Sequence, residues 1–578
     1  MKPSKRSTYG LPRIIFVAGI IAGSWLLTAN RFTDFKGADP SNSRWVDSVF
    51  LSLTLDQKIG QCFMVATRSD RNGAYYQQTE SLILKYNVGG LIFFQGTPYR
   101  QAVLTNAYQR LSKVPLLIGI DGEWGLGMRL DSVMNFPRQM TLGAISNDSL
   151  LYQMGDEIGR HCNRLGIHVN FAPVADINSN PLNPVIGNRS FGENRESVTR
   201  KALAYMRGLQ HNKVIATAKH FPGHGDTDSD SHYTLPVVSH STDQLNDTDL
   251  YPFRQLIANG LTGIITGHLY VPVLENTPHL AASLSEKVVT QLLQKEMGFG
   301  GLIFTDAMNM QGVSRGRTSV DANLKALVAG NDILLYPEQI QASIAKIKEA
   351  IANGIFTEEA LNNKVRKILR AKYWAGLNNL KPIDLQDINT KINEPSTVRL
   401  NDLLCQNAVT LLSNQDHVLP LAAQTTDTLA SICIGLGYNN SFQNTLGQYA
   451  RFKYVAQFEK PETDETVNQI LAYVAGTKTV ILSFHDTRKS FKHPYVFPAA
   501  TLRLVAELQR QSKVIICFFG MPYPIQYLPE TSSVVVAYEN SQTMHQTVPT
   551  LLFGHLPFKG KLPVTVDKKF SFGHGLLD

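Results

Sequence analysis

The chain has 578 residues, of which 43% are hydrophobic and 18% charged, a composition typical of globular proteins and not of disordered or fibrous ones. At roughly 150 residues per domain the length suggests up to four domains, but α/β barrels take about 200 to 250 residues each, so two or three are expected. The net charge of +8 is scattered, and no Lys/Arg block interleaved with aromatic residues indicates a nucleic-acid surface.

Residues 1–43 are predicted to be a signal peptide or N-terminal membrane anchor with a spacer. Basic side chains precede an apolar stretch at residues 14–29, and polar residues follow, which is the order of a secretory signal. The basic residues are Lys2, Lys5, Arg6 and Arg13. Leu27-Thr28-Ala29 is a poor cleavage site and the stretch is short for a spanning helix. We expect a periplasmic or otherwise extracytoplasmic protein, secreted or held at the membrane by this segment. The alternative, a buried core helix, is disfavoured by the basic cluster.

Eight short apolar runs recur between residues 60 and 336, separated by stretches with helical spacing. The runs are residues 60–67, 88–94, 116–121, 168–176, 214–220, 263–269, 301–306 and 332–336. Runs that are apolar throughout are typical of parallel strands covered on both faces, and each gap has room for a crossover helix. The pattern predicts an α/β fold, a (β/α)8 TIM-type barrel over residues 44–379.

Chemically capable side chains follow five of these runs. They are Asp121, Asp176, Lys219 with His220, His268, and Asp306. A barrel keeps its active site at the carboxyl ends of its strands, whereas strands that only pack would end in ordinary turn residues. The coincidence across five strands therefore predicts an active site at this face of the barrel.

The densest group of such residues is the segment 219–232, KHFPGHGDTDSDSH. A calcium loop is suggested by Asp226, Asp228 and Asp230, but the positions that need Gly and Glu hold Ser231 and Val237. A solvated loop rich in turn-forming residues is the ordinary alternative.

A zinc site is a second alternative for the same segment. It would recruit His220, His224 and His232. The intervening Pro and Gly residues prevent a helical HExxH-type presentation, and no Glu base lies between the histidines. We expect no metal and no cofactor.

Acid/base catalysis is the third interpretation. Asp230 and His232 are two residues apart, so in a locally extended loop both side chains lie on one side. The carboxylate can then hold the imidazole in one tautomer and raise its pKa. A protonated imidazole can donate to a leaving oxygen near neutral pH.

The second group is the run 301–310, in which Asp306 directly follows Gly-Leu-Ile-Phe-Thr. An Asp that caps the next helix is the commoner explanation of such a residue taken alone. Beside a His/Asp acid pair on another strand end, a carboxylate nucleophile becomes the more attractive interpretation.

A second α/β pattern follows a polar stretch. Residues 380–401 are poor in long apolar runs and are predicted to be a linker. Residues 402–578 then carry apolar runs at 431–436, 479–484, 513–519 and 533–538, with a helical stretch at 499–511. A smaller doubly wound αβα sandwich is the simplest fit. No Gly-x-Gly-x-x-Gly follows its first strand, which argues against a dinucleotide site.

The five cysteines are widely spaced, odd in number and mostly set in apolar runs. They are Cys62, Cys162, Cys405, Cys433 and Cys517. This spacing indicates buried thiols and not a disulfide framework or a metal-binding pair.

Several of these motifs together resemble family 3 glycoside hydrolases, and specifically their β-N-acetylglucosaminidase (β-N-acetylhexosaminidase) branch. The resemblance rests on KHFPGHG at 219–225, Asp-Ser-His at 230–232, Thr-Asp at 305–306, DGEWG at 121–125 with Arg129, GNRSFG at 187–192, QNAVTLL at 406–412, GKLPV at 560–564 and FGHG at 572–575. It covers the chain after residue 45. The sequence departs from the family pattern at Trp124 and at residues 126–128, which affects the rim of the sugar pocket.

The resemblance implies a role for each matching residue. Asp306 would be the nucleophile, and His232 assisted by Asp230 the acid/base. The sugar would be bound by Asp121, Arg129, Arg189, Lys219 and His220. Strand-end salt bridging without a substrate is the alternative for these residues.

The sequence therefore predicts an exported retaining exo-β-N-acetylglucosaminidase acting on cell-wall fragments, muropeptides or other β-linked glycans. Four alternatives stay open: a β-N-acetylglucosaminide phosphorylase, a β-glucosidase-type family member, a catalytically silent glycan-binding envelope protein, and a metal-dependent hydrolase. The phosphorylase is included because a His is neutral after it donates its proton and so does not repel an anionic acceptor. The silent protein is disfavoured, since a binding module needs neither Asp306 nor the Asp230/His232 pair.

Overall fold

The computed structural model describes residues 40–230, 235–314, 317–415, 417–422, 428–459, 461–488, 495–531 and 533–577. The predicted export segment up to residue 39 and the predicted acid/base His232 lie outside the described residues. All other predicted site residues lie within them.

Eight parallel strands form a barrel in the first part of the chain. They are β1 Phe63–Thr67, β2 Gly90–Phe93, β3 Leu117–Ile120, β4 Val169–Asn170, β5 Ile215–Phe221, β6 Gly263–Thr266, β7 Leu302–Thr305 and β8 Leu334–Leu335. Each strand pairs with the next from β1 to β7, and β1 also pairs with β8. A bridge between Phe304 and Ile333 brings β7 against the start of β8 and completes the ring. Each predicted run coincides with one of these strands, β5 extending one residue beyond its run, which confirms the barrel.

Helices surround the barrel. They are α1 Pro40–Leu51, α2 Leu55–Gly60, α3 Gly73–Tyr86, α4 Pro98–Leu111, α5 Gln139–Gly143, α6 Asp148–Arg164, α7 Arg195–His211, α8 Thr242–Gln244, α9 Leu250–Ala258, α10 Gln311–Ser314, α11 Ser319–Ala329, α12 Ile340–Ala352 and α13 Glu358–Trp374, with π-helical segments at Leu245–Asp249 and Lys287–Glu296. Many start at a residue whose side chain accepts a backbone N–H of the first turn, as Thr97, Asn194 and Thr357 do. The amphipathic helices bury their apolar faces against the strands or against neighbouring helices.

Helix α1 begins inside the segment predicted to be a spacer. Its Trp45 ring lies 6.0 Å from the ring of Tyr373 on α13. The guanidinium of Arg366 lies 4.0 Å from the ring centroid of Phe50. Residues 40–51 therefore belong to the packed barrel, because their aromatic side chains find partners on its last helix.

The second domain contains a six-stranded sheet. Its strands are β9 Thr410–Asn414, β10 Leu429–Ile434, β11 Tyr454–Phe458, β12 Thr479–His485, β13 Lys513–Phe519 and β14 Ser533–Val536, and its helices are α14 Ile388–Ile392, α15 Pro395–Ala408, α16 Ser441–Tyr449, α17 Asp464–Tyr473, α18 Ala499–Gln511 and α19 Gln542–Leu552. The strand order is β11-β10-β12-β13-β14-β9, with β9 antiparallel to β14 and all other pairs parallel. This order confirms the predicted doubly wound sandwich.

The stretch predicted to be a linker lies against the barrel and is partly helical. Arg164 on α6 donates to the carbonyls of Asp384 and Gln386. Helix α15 begins at Pro395, and the Thr397 hydroxyl donates to the buried Glu157 of α6. Polar groups of the stretch are thus satisfied by hydrogen bonds to the barrel.

A segment at residues 561–576 contacts both domains. The Lys561 N–H donates to the Ala144 carbonyl of the barrel at 2.9 Å. The Thr565 hydroxyl donates to Glu193 of the barrel at 2.6 Å, and the Leu576 N–H donates to Leu411 of β9 at 2.8 Å. The barrel and the sandwich are therefore joined by main-chain hydrogen bonds as well as by the linker.

The structure also shows the state of the cysteines and whether any described helix could cross a membrane. The five cysteines are all buried and free, which confirms that they are thiols. Among the described residues, no helix combines the length and the apolarity that crossing a membrane requires.

Candidate active site

The described predicted site residues gather at the carboxyl ends of the barrel strands. Asp121 follows β3, Arg129 follows the 3-10 turn Leu126–Met128, Arg189 ends the 3-10 turn Gly187–Arg189 after β4, Lys219 and His220 lie in β5, and Asp306 follows β7. These positions come from the ends of four different strands, β3, β4, β5 and β7, and the closed sheet brings them to one mouth.

Asp121 binds two cations. Its Oδ2 accepts from Arg129 Nη2 at 2.6 Å, and its Oδ1 accepts from Lys219 Nζ at 3.0 Å. Burial opposes ionisation of this carboxyl, but the charges of Lys219 and Arg129 outweigh burial and lower its pKa to about 2. Asp121 is therefore an anion at neutral pH that orients two donors.

Glu123 forms a second charge cluster with the same lysine. Its carboxylate accepts from Arg189 Nε at 2.9 Å and Nη2 at 2.7 Å, and its Oε1 lies 2.7 Å from Lys219 Nζ. The side chain is 1% exposed, and the two cations hold its pKa well below the usual range against the effect of burial. This fork-to-fork arrangement fixes the guanidinium plane of Arg189.

Arg129 retains one donor without a protein partner. Its Nε is buried and has no hydrogen-bond acceptor among the described residues, while its guanidinium lies 4.9 Å from the ring centroid of Phe94. A buried N–H without an acceptor is destabilising.

His220 is held by a buried carboxylate. Asp176 Oδ2 lies 2.7 Å from His220 Nδ1, and Asp176 Oδ1 accepts from the His224 N–H at 2.8 Å. His220 Nε2 lies 3.3 Å from Arg189 Nη2. Because a guanidinium can only donate, His220 accepts at Nε2 and carries its proton on Nδ1.

Asp306 is half-buried beside two histidines. Burial opposes its ionisation, but the Ala307 N–H, which donates to Oδ1 at 2.8 Å, and the charge of Lys219 lower its pKa. Burial lowers the pKa of His268, whose Nδ1 lies 2.7 Å from the Ser283 hydroxyl. Asp306 is therefore a carboxylate at neutral pH, the protonation state that a nucleophile requires.

The loop after β5 runs close to the loop after β4. A Cβ at Gly225 would lie 1.6 Å from the Ile177 carbonyl oxygen, so only glycine fits at this crossing. Asn183 donates to the carbonyls of His224 and Gly225 at 2.8 and 3.0 Å. The structure thus fixes the start of the loop that leads to Asp230. Among the described residues, no three His, Cys, Asp or Glu side chains are arranged to hold a metal ion.

The carboxyl ends of the sandwich strands face the barrel across a cavity of about 360 Å³. The cavity is lined by Trp124, Arg138 and Asn188 of the barrel and by Asp486, Arg488, Phe519, Tyr538 and Asn540 of the sandwich, among others. Trp124 and Asn188 adjoin Glu123 and Arg189 in sequence. The cavity therefore lies beside the charge cluster of the mouth, and the second domain forms one of its walls.

Sequence reasoning gave no role to Glu123 and placed Asp176 only at a strand end. Asp-x-Glu at 121–123 was a usable signal for the first residue, since residues two apart in extended chain point to one side. No signal of that kind identified Asp176 as the partner of His220, because the two are joined only by the pairing of β4 with β5.

Comparison with known proteins shows similarity along most of the chain. Residues 54–371 match the model of the glycosyl hydrolase family 3 N terminal domain. The chain is 35% identical over 376 residues to beta-hexosaminidase A of Pseudoalteromonas piscicida, which covers 60% of this chain and 62% of that relative. It is 24% identical to the beta-N-acetylglucosaminidase/beta-glucosidase of Cellulomonas fimi, over 91% and 96% of the two chains.

A solved structure shares both domains. The family 3 beta-N-acetylglucosaminidase from Paenibacillus sp. str. FPU-7 superposes with a TM-score of 0.76 at 29% identity and covers 89% of this chain and 99% of that one. The match of the family model to more than half of the residues, on a barrel whose strand ends carry the motifs of that family, shows that the chain belongs to glycoside hydrolase family 3.

Proposed function

We propose that this chain is a retaining exo-β-N-acetylglucosaminidase that hydrolyses terminal β-linked N-acetylhexosamine through a covalent intermediate on Asp306. The observation that carries the proposal is the anionic Asp306 at the same barrel mouth as the cluster of Asp121, Arg129 and Lys219. The hexosaminidase names of the similar proteins support the choice of sugar.

The reaction takes place in two displacements. In the first, an Asp306 oxygen attacks the anomeric carbon, the bond to the glycosidic oxygen breaks, and His232 gives its proton to that oxygen. In the second, His232 takes a proton from water, the water oxygen attacks the anomeric carbon, and the ester to Asp306 breaks. Asp230 keeps His232 in the required tautomer and raises its pKa. Each displacement inverts the carbon, so the product retains the β configuration.

The paired side chains of the mouth bind the sugar. Asp121 accepts from sugar hydroxyls, and Lys219, His220 and the guanidinium of Arg129 supply further hydrogen bonds. Arg189 is held rigidly by Glu123 and offers its remaining N–H groups to the substrate. Because these groups are already oriented by the protein, little reorganisation is needed when the sugar binds.

We also propose that the protein acts outside the cytoplasm on cell-wall fragments or related glycans. Support comes from the basic and apolar order of the first residues. If the apolar segment is retained, it attaches the enzyme to the membrane.

Hydrolysis of aryl glycosides tests the proposal. Nitrophenyl β-N-acetylglucosaminide should be cleaved much faster than the glucose and xylose analogues, with β-N-acetylglucosamine released first. Faster cleavage of the glucoside would show a β-glucosidase, and release of the sugar 1-phosphate when phosphate is added would show a phosphorylase. Inactivity on all three substrates would support a silent glycan-binding protein. Loss of activity when a chelator is added would support a metal-dependent hydrolase.

A further inference from the structure

His240 lies between two carboxylates, both within hydrogen-bond distance. Its Nδ1 is 2.6 Å from Asp249 Oδ2, and its Nε2 is 3.0 Å from Asp226 Oδ2. The imidazole is 15% exposed and the Asp249 carboxylate 1%. Since a carboxylate only accepts, both ring nitrogens donate, and this requires the protonated imidazolium.

The two carboxylates belong to different parts of the chain. Asp226 precedes Asp230 and His232 on the loop after β5, and His240 follows them, so the contact joins the two ends of the segment 226–240. Asp249 ends the π-helical segment Leu245–Asp249 and leads directly into α9. The His240 ring therefore ties both ends of the loop to the helical layer of the barrel.

The start of the loop also packs against the same carboxyl residue. Gly223 has φ +134°, and a Cβ built on it would lie 2.6 Å from the Cβ of Asp249. Asp226 is further held by the Ser179 hydroxyl, which donates to Oδ1 at 3.3 Å. The base of the loop is thus fixed from three directions, by α9, by the loop after β4 and by His240.

We propose that His240 is a positioning residue for catalysis: its imidazolium closes the base of the loop 226–240 on Asp249 and thereby sets the Asp230/His232 pair for proton transfer. The inference rests on the proposed function, in which that pair is the acid/base. Asp226 and Asp249 act through His240 and touch no reacting atom.

The charge of the clamp depends on pH. The hydrogen bond to Asp249 and the charge of Asp226 raise the pKa of His240, while burial and the charge of Asp176 raise the pKa of Asp249. The two carboxylates therefore extend the imidazolium to higher pH than an ordinary histidine allows, and it is lost as the pH rises through the raised pKa. A neutral ring donates to only one of its two carboxylates, so one end of the loop is released in alkaline solution.

Leaving-group dependence separates positioning of the acid from a general structural role. The substitutions are Asp226→Asn and His240→Gln, and the measurement is kcat/KM for aryl β-N-acetylglucosaminides of graded leaving-group pKa. We expect losses of about 10-fold or more on the poorest leaving groups, a part of the roughly 100- to 10,000-fold that a general acid supplies. We expect only a small loss on dinitrophenyl glycosides, which need little protonation. The plot of log kcat/KM against leaving-group pKa should therefore become steeper in these variants. Asp226→Glu, which keeps the carboxylate, should bring the slope part of the way back to that of the wild type.

The chain offers a matched control. His211 Nδ1 and Asp156 Oδ1 form a similar contact at 2.6 Å on the outer face of α6 and α7. Asp156→Asn should leave the slope unchanged. Thermal midpoints report whether each variant folds. If His240→Gln does not fold, Asp226→Asn provides the measurement instead, because the Asp226 carboxylate is 35% exposed and its replacement disturbs the packing less.

Equal losses on good and poor leaving groups, or a change in KM alone, would overturn the inference and leave His240 a structural residue. A wild type inactive on every β-N-acetylglucosaminide would instead refute the proposed function. The alkaline limb of kcat/KM provides an independent reading. In wild type, kcat/KM should fall at alkaline pH with a dependence on more than one proton, because both His232 and His240 lose theirs. In His240→Gln the fall should depend on one proton fewer. An unchanged limb would contradict the clamp.

Discussion

Asp176 Oδ2 accepts from His220 Nδ1 at 2.7 Å, and this contact determines which ring nitrogen faces Arg189. The same carboxylate accepts from the backbone N–H groups of His220 and His224 at 3.1 and 2.8 Å. One buried anion therefore sets both the tautomer of His220 and the path of the chain into the loop after β5.

Asp176→Asn should lower the free energy of unfolding by about 1–3 kcal/mol. The carboxylate offers two acceptor oxygens to the three N–H groups around it, whereas an amide offers only one. The donors around it lower the pKa of Asp176. Its stabilising contribution is thus complete above the ordinary carboxyl pKa, about 4, and is lost as the pH falls through the lowered value. The difference in thermal midpoint between wild type and variant should be constant near neutrality and shrink in acid. A difference that grows in acid would contradict this role.

Asp306→Ala should remove nearly all turnover while the circular dichroism spectrum stays that of the wild type, because the covalent route needs the carboxylate. A 2-fluoro glycoside with a good leaving group slows the second displacement and should label Asp306 in the wild type. Mass spectrometry of peptides locates the label. A label on another carboxylate, or full activity of the variant, would show that Asp306 is not the nucleophile.

His232→Ala should lower kcat/KM on a disaccharide by on the order of 100- to 10,000-fold, the usual contribution of a general acid/base. The loss should be distinctly smaller when activated aryl glycosides glycosylate the enzyme. Asp230→Asn should lose less, since the imidazole remains but its pKa falls, which moves the alkaline limb of the rate profile to lower pH. Azide needs no base and should partly restore His232→Ala. Equal losses on all substrates without azide rescue would reduce His232 to substrate positioning.

Glu123→Gln should lower kcat/KM by roughly 10- to 100-fold, since a hydrogen bond to a charged group contributes about 1.5–3 kcal/mol and Arg189 loses its paired acceptor. The loss should be the same for good and poor leaving groups, because Glu123 acts on sugar binding and not on proton transfer. This uniformity distinguishes it from His232→Ala. A loss confined to poor leaving groups would place Glu123 in the acid/base machinery instead.

Cell fractionation should find the protein outside the cytoplasm, because basic residues and an apolar stretch precede the barrel and the sandwich. A chain that begins at residue 40 provides the control and should stay in the cytoplasm. Carbonate washing should leave the full chain in the membrane fraction if the apolar stretch is retained. Full-length protein found soluble in the cytoplasm would refute the expectation.

The barrel could be predicted because its strands are buried on both faces, so each lies in a mainly apolar run whose polar residues are few and concentrate toward the carboxyl end. In the sandwich, β11 was missed for the opposite reason. It is an edge strand of which only Ala456 is fully buried, and Val455 is 44% exposed. Strand β9 was missed as well, since its pairing is antiparallel to β14 and joins segments more than a hundred residues apart. Periodicity carries no information about such a pairing.

The site was predictable where its residues share a motif and not where they meet only in space. Lys219 and His220 are adjacent, so one segment of sequence identified both. Glu123 and Asp176 contribute by contacts that strand pairing creates between distant segments. The roles assigned to Asp306, His232 and Asp230 stay predictions until the variants above are measured.

The segment 561–576 has a consequence for how the molecule is assembled during synthesis. It is made after all eight barrel strands and all six sandwich strands, yet it supplies the hydrogen bonds to Ala144, Glu193 and Leu411. A Cβ at Gly143 or Gly192 would also lie within 3 Å of backbone or of Pro563 in this contact. The nascent barrel must therefore fold with this side still open to solvent, and the seam between the domains can close only when these residues have left the ribosome.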